Sequence, residues 1–126
     1  MTQPGKQVGD ASGGYSVSAD AESGEVQVTA WGFWSIDVAT NFRPTLLEAC
    51  AARLSKRLVL DMRTLRPMRD EGQQSVSAVL AALPGLGIER ATIITSSQLT
   101  KLQLLRIVRE SVAKDRVDFI ERSENG

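Results

Sequence analysis

Sixteen consecutive residues constrain the fold more than any other part of the chain: Arg57-Leu-Val-Leu-Asp-Met-Arg-Thr-Leu-Arg-Pro-Met-Arg-Asp-Glu-Gly72. A short apolar run, Leu58-Val-Leu60, ends at Asp61. A turn-rich loop follows. Asp70-Glu-Gly72 then opens a stretch in which Val76, Val79, Leu80 and Leu83 recur at spacings of three and four. The first pattern is that of a buried strand and the second that of an amphipathic helix. A strand feeding a helix N-terminus is where α/β folds place their sites. The continuous apolar run predicts a central strand covered on both faces.

The flanking sequence extends this pattern. Tyr15, Val17 and Ala19 alternate with polar residues, and so do Val26, Val28 and Ala30. The turn-forming segment 21–25 between them predicts a β-hairpin with one buried face. Val38, Phe42, Leu46, Ala49, Cys50 and Leu54 form a helical stripe, with Ser35 or Asp37 as its cap. Pro44 must kink that helix or start a second segment, and the unbroken phase favours a kink. Pro84-Gly-Leu-Gly87 ends the next helix. Ala91-Thr-Ile-Ile94 predicts another buried strand. Thr95, Ser96 or Ser97 can cap a third helix, with Leu99, Leu102, Leu105, Val108 and Val112 on its inner face. Val117-Asp-Phe-Ile120 is a candidate edge strand. The predicted order is β-β-α-β-α-β-α, with a last β optional. The fold class is α/β, a single domain with a mixed sheet of four to five strands and helices packed on it.

Domain limits follow from composition. Residues 1–14 are rich in Gly, Ser, Gln and Asp and predict a disordered arm. Residues 15–120 form the domain, and 121–126 a flexible tail. The chain has 126 residues, 15 basic and 15 acidic side chains, no histidine and one cysteine. A net charge of zero argues against nucleic-acid binding and against electrostatic recruitment to membranes. Lack of histidine removes the commonest general base and most zinc and haem sites. A lone cysteine forms no internal disulfide, and the first residues lack the apolar core of a signal peptide, which together predict a cytoplasmic protein. Cys50, on the apolar side of its helix, reads as a buried structural thiol. No nucleotide-binding glycine motif is present, and the pattern calls for no cofactor and no metal.

The segment Leu58–Gly72 resembles the signature of STAS domains, the anti-sigma-factor-antagonist family. Gly32-Phe-Trp-Ser-Ile-Asp-Val-Ala-Thr40 is similar to that family's turn from strand into helix. The resemblance spans about residues 15–120. In STAS proteins the loop carries Asp-Ser-Ser-Gly or a variant, and one hydroxyl is phosphorylated. Here Arg69 stands at the aspartate position, Asp70 and Glu71 at the two hydroxyl positions, and Gly72 matches. The resemblance implies a non-enzymatic bacterial signalling module that binds another protein through Arg69, Asp70, Glu71, Gly72, Gln73 and Val76. A kinase-type regulator is one such partner, and a second copy of the chain is retained as another.

Two readings of these acids stand side by side. They place fixed negative charge where relatives carry phosphate, or they serve only as a helix cap and first-turn acids. Arg63, Arg66 and Arg69 recur every third residue. They suit an anionic or lipid-like ligand, or they form a solvated loop paired with Asp61, Asp70 and Glu71. Trp31 and Phe33 should face one way and Trp34 the other, one of the two faces being core and the other free for an interface. Gln98, Lys101, Gln103, Arg106 and Arg109 predict a solvated helix face, with Arg106 in reach of Glu110.

Overall fold

A computed structural model describes residues 2–20, 22–53, 56–96 and 98–124. Leu54 of the expected stripe, Ser97 of the expected caps and Ala21 of the expected turn lie outside them.

The elements run β1 (Thr2–Asp10), β2 (Gly13–Asp20), β3 (Val26–Gly32), α1 (Ile36–Arg53), β4 (Arg57–Leu65), α2 (Asp70–Ala82), β5 (Arg90–Thr95), α3 (Gln98–Arg109) and β6 (Val117–Glu121). They build one six-stranded sheet in the order β1-β2-β3-β4-β5-β6. The first three strands are antiparallel, and β3 to β6 run parallel. The hairpin, the central position of β4 and the final strand agree with the sequence reading.

Four expectations need correction. The sheet has six strands rather than four or five, and its order begins with three strands. The extra strand comes from residues 1–14, expected to be a disordered arm. This segment is too polar to announce itself, yet β2 offers it a free edge of backbone donors and acceptors. Its turn is fixed locally: the Ser12 N–H and hydroxyl both donate to Asp10 Oδ1, at 2.9 and 2.6 Å, and Trp31 Nε1–H donates to Asp10 O at 2.8 Å. The expected tail 121–126 begins inside β6, and the Arg122 N–H still donates to Thr95 O at 2.9 Å.

The third correction concerns β4, which is covered on one face only. Each parallel crossover steps to the next strand in the same direction, so right-handed connections put α1, α2 and α3 on one side of the sheet. Leu58, Leu60 and Met62 are buried beneath them, while Val59, Asp61 and Arg63 are only partly covered on the open face. A short apolar run does not by itself reveal which of its residues meets a helix.

The fourth correction is the phase of α3. Leu99 and Leu102 point outward, 66% and 59% exposed, and Val112 beyond the helix is 80% exposed. The inner positions are taken by Thr100, Leu104, Ile107 and Val108. Thr100 is polar but sits inside because its hydroxyl donates to Leu65 O at 2.8 Å. Hydrophobic spacing alone selects the wrong stripe on a helix that carries two.

α1 is one helix with Pro44 inside it, capped by Ser35, whose hydroxyl accepts the Val38 N–H at 3.2 Å. Thr40 and Pro44 are both exposed, so water can satisfy the carbonyl that the proline leaves free. Trp34 turns into the core against Tyr15 and Phe42, with ring centroids 5.8 and 4.9 Å away, and Phe33 turns out. Cys50 is buried and free, and burial pushes its thiol up to about 11, which suits a packing residue and not a nucleophile.

Candidate functional site

The carboxyl ends of β3, β4 and β5 lead into the starts of α1, α2 and α3, with α2 packed between its neighbours. The β4–α2 loop is therefore central at this end of the sheet. Its backbone is held from three sides. The Arg66 N–H donates to Gly32 O at 3.0 Å. Thr100 closes on Leu65 O. The Gln103 amide clasps Met68, accepting its N–H at 2.7 Å and donating to its carbonyl at 2.9 Å. Gln73 Nε2 donates to the same carbonyl at 2.9 Å, and its own oxygen accepts from Arg106. A loop with so many fixed backbone groups presents the following helix start in one orientation.

Arg69 is the N-cap residue of α2 and makes no side-chain cap bond; its carbonyl accepts the Gln73 N–H at 3.1 Å. Asp70 and Glu71 occupy the first turn, exposed to solvent. The ion pairs among the described residues are Arg63–Asp61, Arg90–Asp118 and Lys101–Glu121, so neither first-turn acid is in a direct ion pair among them. Gly72 is buried where a Cβ would lie 3.0 Å from Met68 Cβ. Val76 is also buried. Gly72 and Val76, expected to touch a partner, instead seat the helix start on the core. The exposed part of the predicted set is Arg69, Asp70 and Glu71, with Gln73 half-buried. Ser75 is buried, and Ser77 is exposed in a groove between α2 and α3.

Arg63 and Arg69 do not converge. Arg63 lies on the open sheet face. Its Nη2 is 2.8 Å from Asp61 Oδ2, its Nε 3.0 Å from Oδ1, and its Nη1 donates to Ser123 O at 3.3 Å. Arg66 is exposed at the loop. Arg69 lines a crevice of about 40 Å³ with Trp34, Ser35, Ile36, Ala39, Glu71 and Gly72. Such a space holds about one water, not an organic anion. Arg106 pairs with Gln73 rather than Glu110. Sequence reading missed Thr100 and Gln103 as loop-holding residues; a polar residue at a helix position facing a loop was the available signal. Among the described residues no group of three or more acids or cysteines is placed to hold a metal. No helix among them is long and apolar enough to cross a membrane.

The Asp61–Arg63 pair has a consequence in acid. Partial burial raises the Asp61 carboxyl, but the hydrogen bonds and charge of Arg63 outweigh this and hold it below its ordinary 3.8. A carboxyl lowered on folding stabilises the fold above its unfolded value, and that contribution fades as pH falls from 3.8 through the lower folded value. Asp61→Asn is expected to cost about 0.5–1 kcal/mol near neutrality, and the difference should shrink towards zero in acid. Urea titrations between neutral pH and about pH 2.5 check this; a constant difference would mean the pair does not contribute through charge.

No family model matches the chain, and no curated protein matches it in sequence. A solved structure does match. It is the crystal structure of an uncharacterized protein of the DUF3478 family with a SpoIIAA-like fold from Shewanella loihica, 15% identical, with 94% of each chain covered and a TM-score of 0.61. The fold is SpoIIAA-like. This is the STAS architecture that the resemblance of Leu58–Gly72 implied. Within the SpoIIAA-like frame, the β4–α2 loop and the start of α2 carry the exposed Arg69, Asp70 and Glu71.

Proposed function

We propose that this chain is a non-enzymatic interaction module of bacterial cytoplasmic signalling, similar to anti-sigma-factor antagonists, with the modifiable hydroxyls replaced by permanent charge. The observation that carries the reading is the pair of exposed carboxylates of Asp70 and Glu71, in no direct ion pair among the described residues, on a backbone fixed by Thr100, Gln103 and Gly32. Charge at a rigid helix start is pre-organised to meet a partner's cations. Acids here cannot accept phosphate from a serine kinase, so contact with the partner is constitutive. A small anionic or lipid-like ligand is less well supported, since Arg63 is held by Asp61 on the open sheet face while Arg69 lines a crevice of about 40 Å³.

The test is Asp70→Ser with Glu71→Ser. Each exposed pair alone contributes about 0–1 kcal/mol. Two charges at a partly desolvated contact contribute about 1–3 kcal/mol, so affinity for a signalling partner isolated from the source cell should fall roughly 5- to 150-fold. The melting temperature should hold, because serine is also accepted in a first helical turn. Equal affinities by calorimetric titration would leave the acids as helix-end residues only.

A further inference from the structure

α3 carries two apolar stripes, and the core takes one. The other begins with Leu99 and Leu102, three residues apart on one line, with Leu105 half-buried beside them. Single exposed leucines are ordinary on a protein surface, but two adjoining ones on a rigid helix form a ridge. The same outward line continues into Arg106 and Arg109, both exposed. Next to this line lies an open groove of about 400 Å³ between α2 and α3. Small residues of α2, Ser77, Ala78 and Ala81, line one wall, and Ile107 supplies apolar surface from α3. Asp70 and Glu110 bring acids to the same groove, and Arg106 a cation.

From these features we propose that a second copy of this chain docks on the α2–α3 face. One copy's Leu99–Leu102 ridge enters the groove of the other, around a two-fold axis with the α3 helices antiparallel. Three observations select a second copy over another occupant. The chain itself carries both the ridge and the small-walled groove that receives it, on one face, as an isologous contact requires. Acids and cations alternate on that face, so a two-fold can set Asp70 or Glu110 against Arg106 or Arg109 of the other copy. The net charge of zero leaves no long-range repulsion against association. The inference does not rest on the proposed signalling role. The two surfaces share Asp70 and Gln73, which line the groove, and part at Glu71, which faces the crevice on the α1 side.

Sedimentation equilibrium tests the proposal on the whole chain, up to about 100 µM, where a micromolar interface is filled. The expected result is a mass of twice the 13.7 kDa of one chain. Leu102→Asp, on the ridge, and Ala81→Glu, on the groove wall, should each weaken association at least about 10-fold, roughly 1.4 kcal/mol. Both residues are exposed, so each variant should keep its circular dichroism spectrum, and its melting temperature should fall only by what association contributes at the concentration used. A wild-type mass of one chain throughout would overturn the proposal. So would a dimer that survives either substitution, since ridge and groove are then not one interface.

Discussion

Gly32→Ala is expected to cost about 4 kcal/mol and lower the melting temperature by roughly 15 °C. Gly32 has φ +67, a left-handed backbone that non-glycine residues adopt at a cost of roughly 1–2 kcal/mol. An added Cβ would also stand 2.1 Å from Ser12 O and 2.8 Å from Gly13 Cα, and both neighbours are backbone. The β1–β2 turn must move to admit it. The turn is not free to move, because Ser12 O accepts the Phe33 N–H at 3.0 Å. The effect should reach the candidate site, since Gly32 O holds the Arg66 N–H. Gly85→Ala is the control: nothing lies within 4 Å of its added Cβ, and its cost should stay within about 0.5 kcal/mol. Thermal and urea melts of the two variants decide it; equal losses would show that the close approach at Gly32 does not matter.

Leu60→Ala should cost about 3 kcal/mol, by lost burial and a cavity the sheet cannot close. Leu60 is fully buried at the centre, in register with Val28 on one side and Ile93 on the other, both buried beneath the helices. Val59→Ala, one residue away, should cost under about 1 kcal/mol, because Val59 faces the open side. Urea midpoints at unchanged slope give both values. Similar costs would mean that both faces of β4 are covered after all.

Much of this architecture was legible in the sequence. Alternation at Tyr15–Ala19 and Val26–Ala30 marked strands with one buried face, because each needs only a periodic apolar side. The passage from Leu60 through Asp61 to Asp70 marked strand, loop and helix, and with them the place of the acids. β1 was not legible. Its pairing depends on the free edge of β2 and on turn bonds from Asp10, neither of which leaves an apolar pattern. The phase of α3 was misread because Thr100 earns its inner position by a hydrogen bond to Leu65, while Leu99 and Leu102 obey helical spacing without a core to enter. The separation of Arg63 from Arg69 was equally hidden. β4 runs on to Leu65, past the end of the apolar run, so alternation puts Arg63 on the open face beside Asp61, while Arg69 is the N-cap residue of α2. The helix starts, by contrast, were constrained enough by local chemistry to be placed within a few residues.

A signalling partner resting on the start of α2, as proposed, would shield the amides of that segment. Amide hydrogen exchange on the chain, alone and saturated with a partner isolated from the source cell, tests it most directly. Protection is expected to concentrate in residues 66–74 and to be lost in the Asp70→Ser, Glu71→Ser variant at the same partner concentration. Protection confined to the open sheet face around Val59, Asp61 and Ile94, with residues 66–74 unchanged, would contradict it.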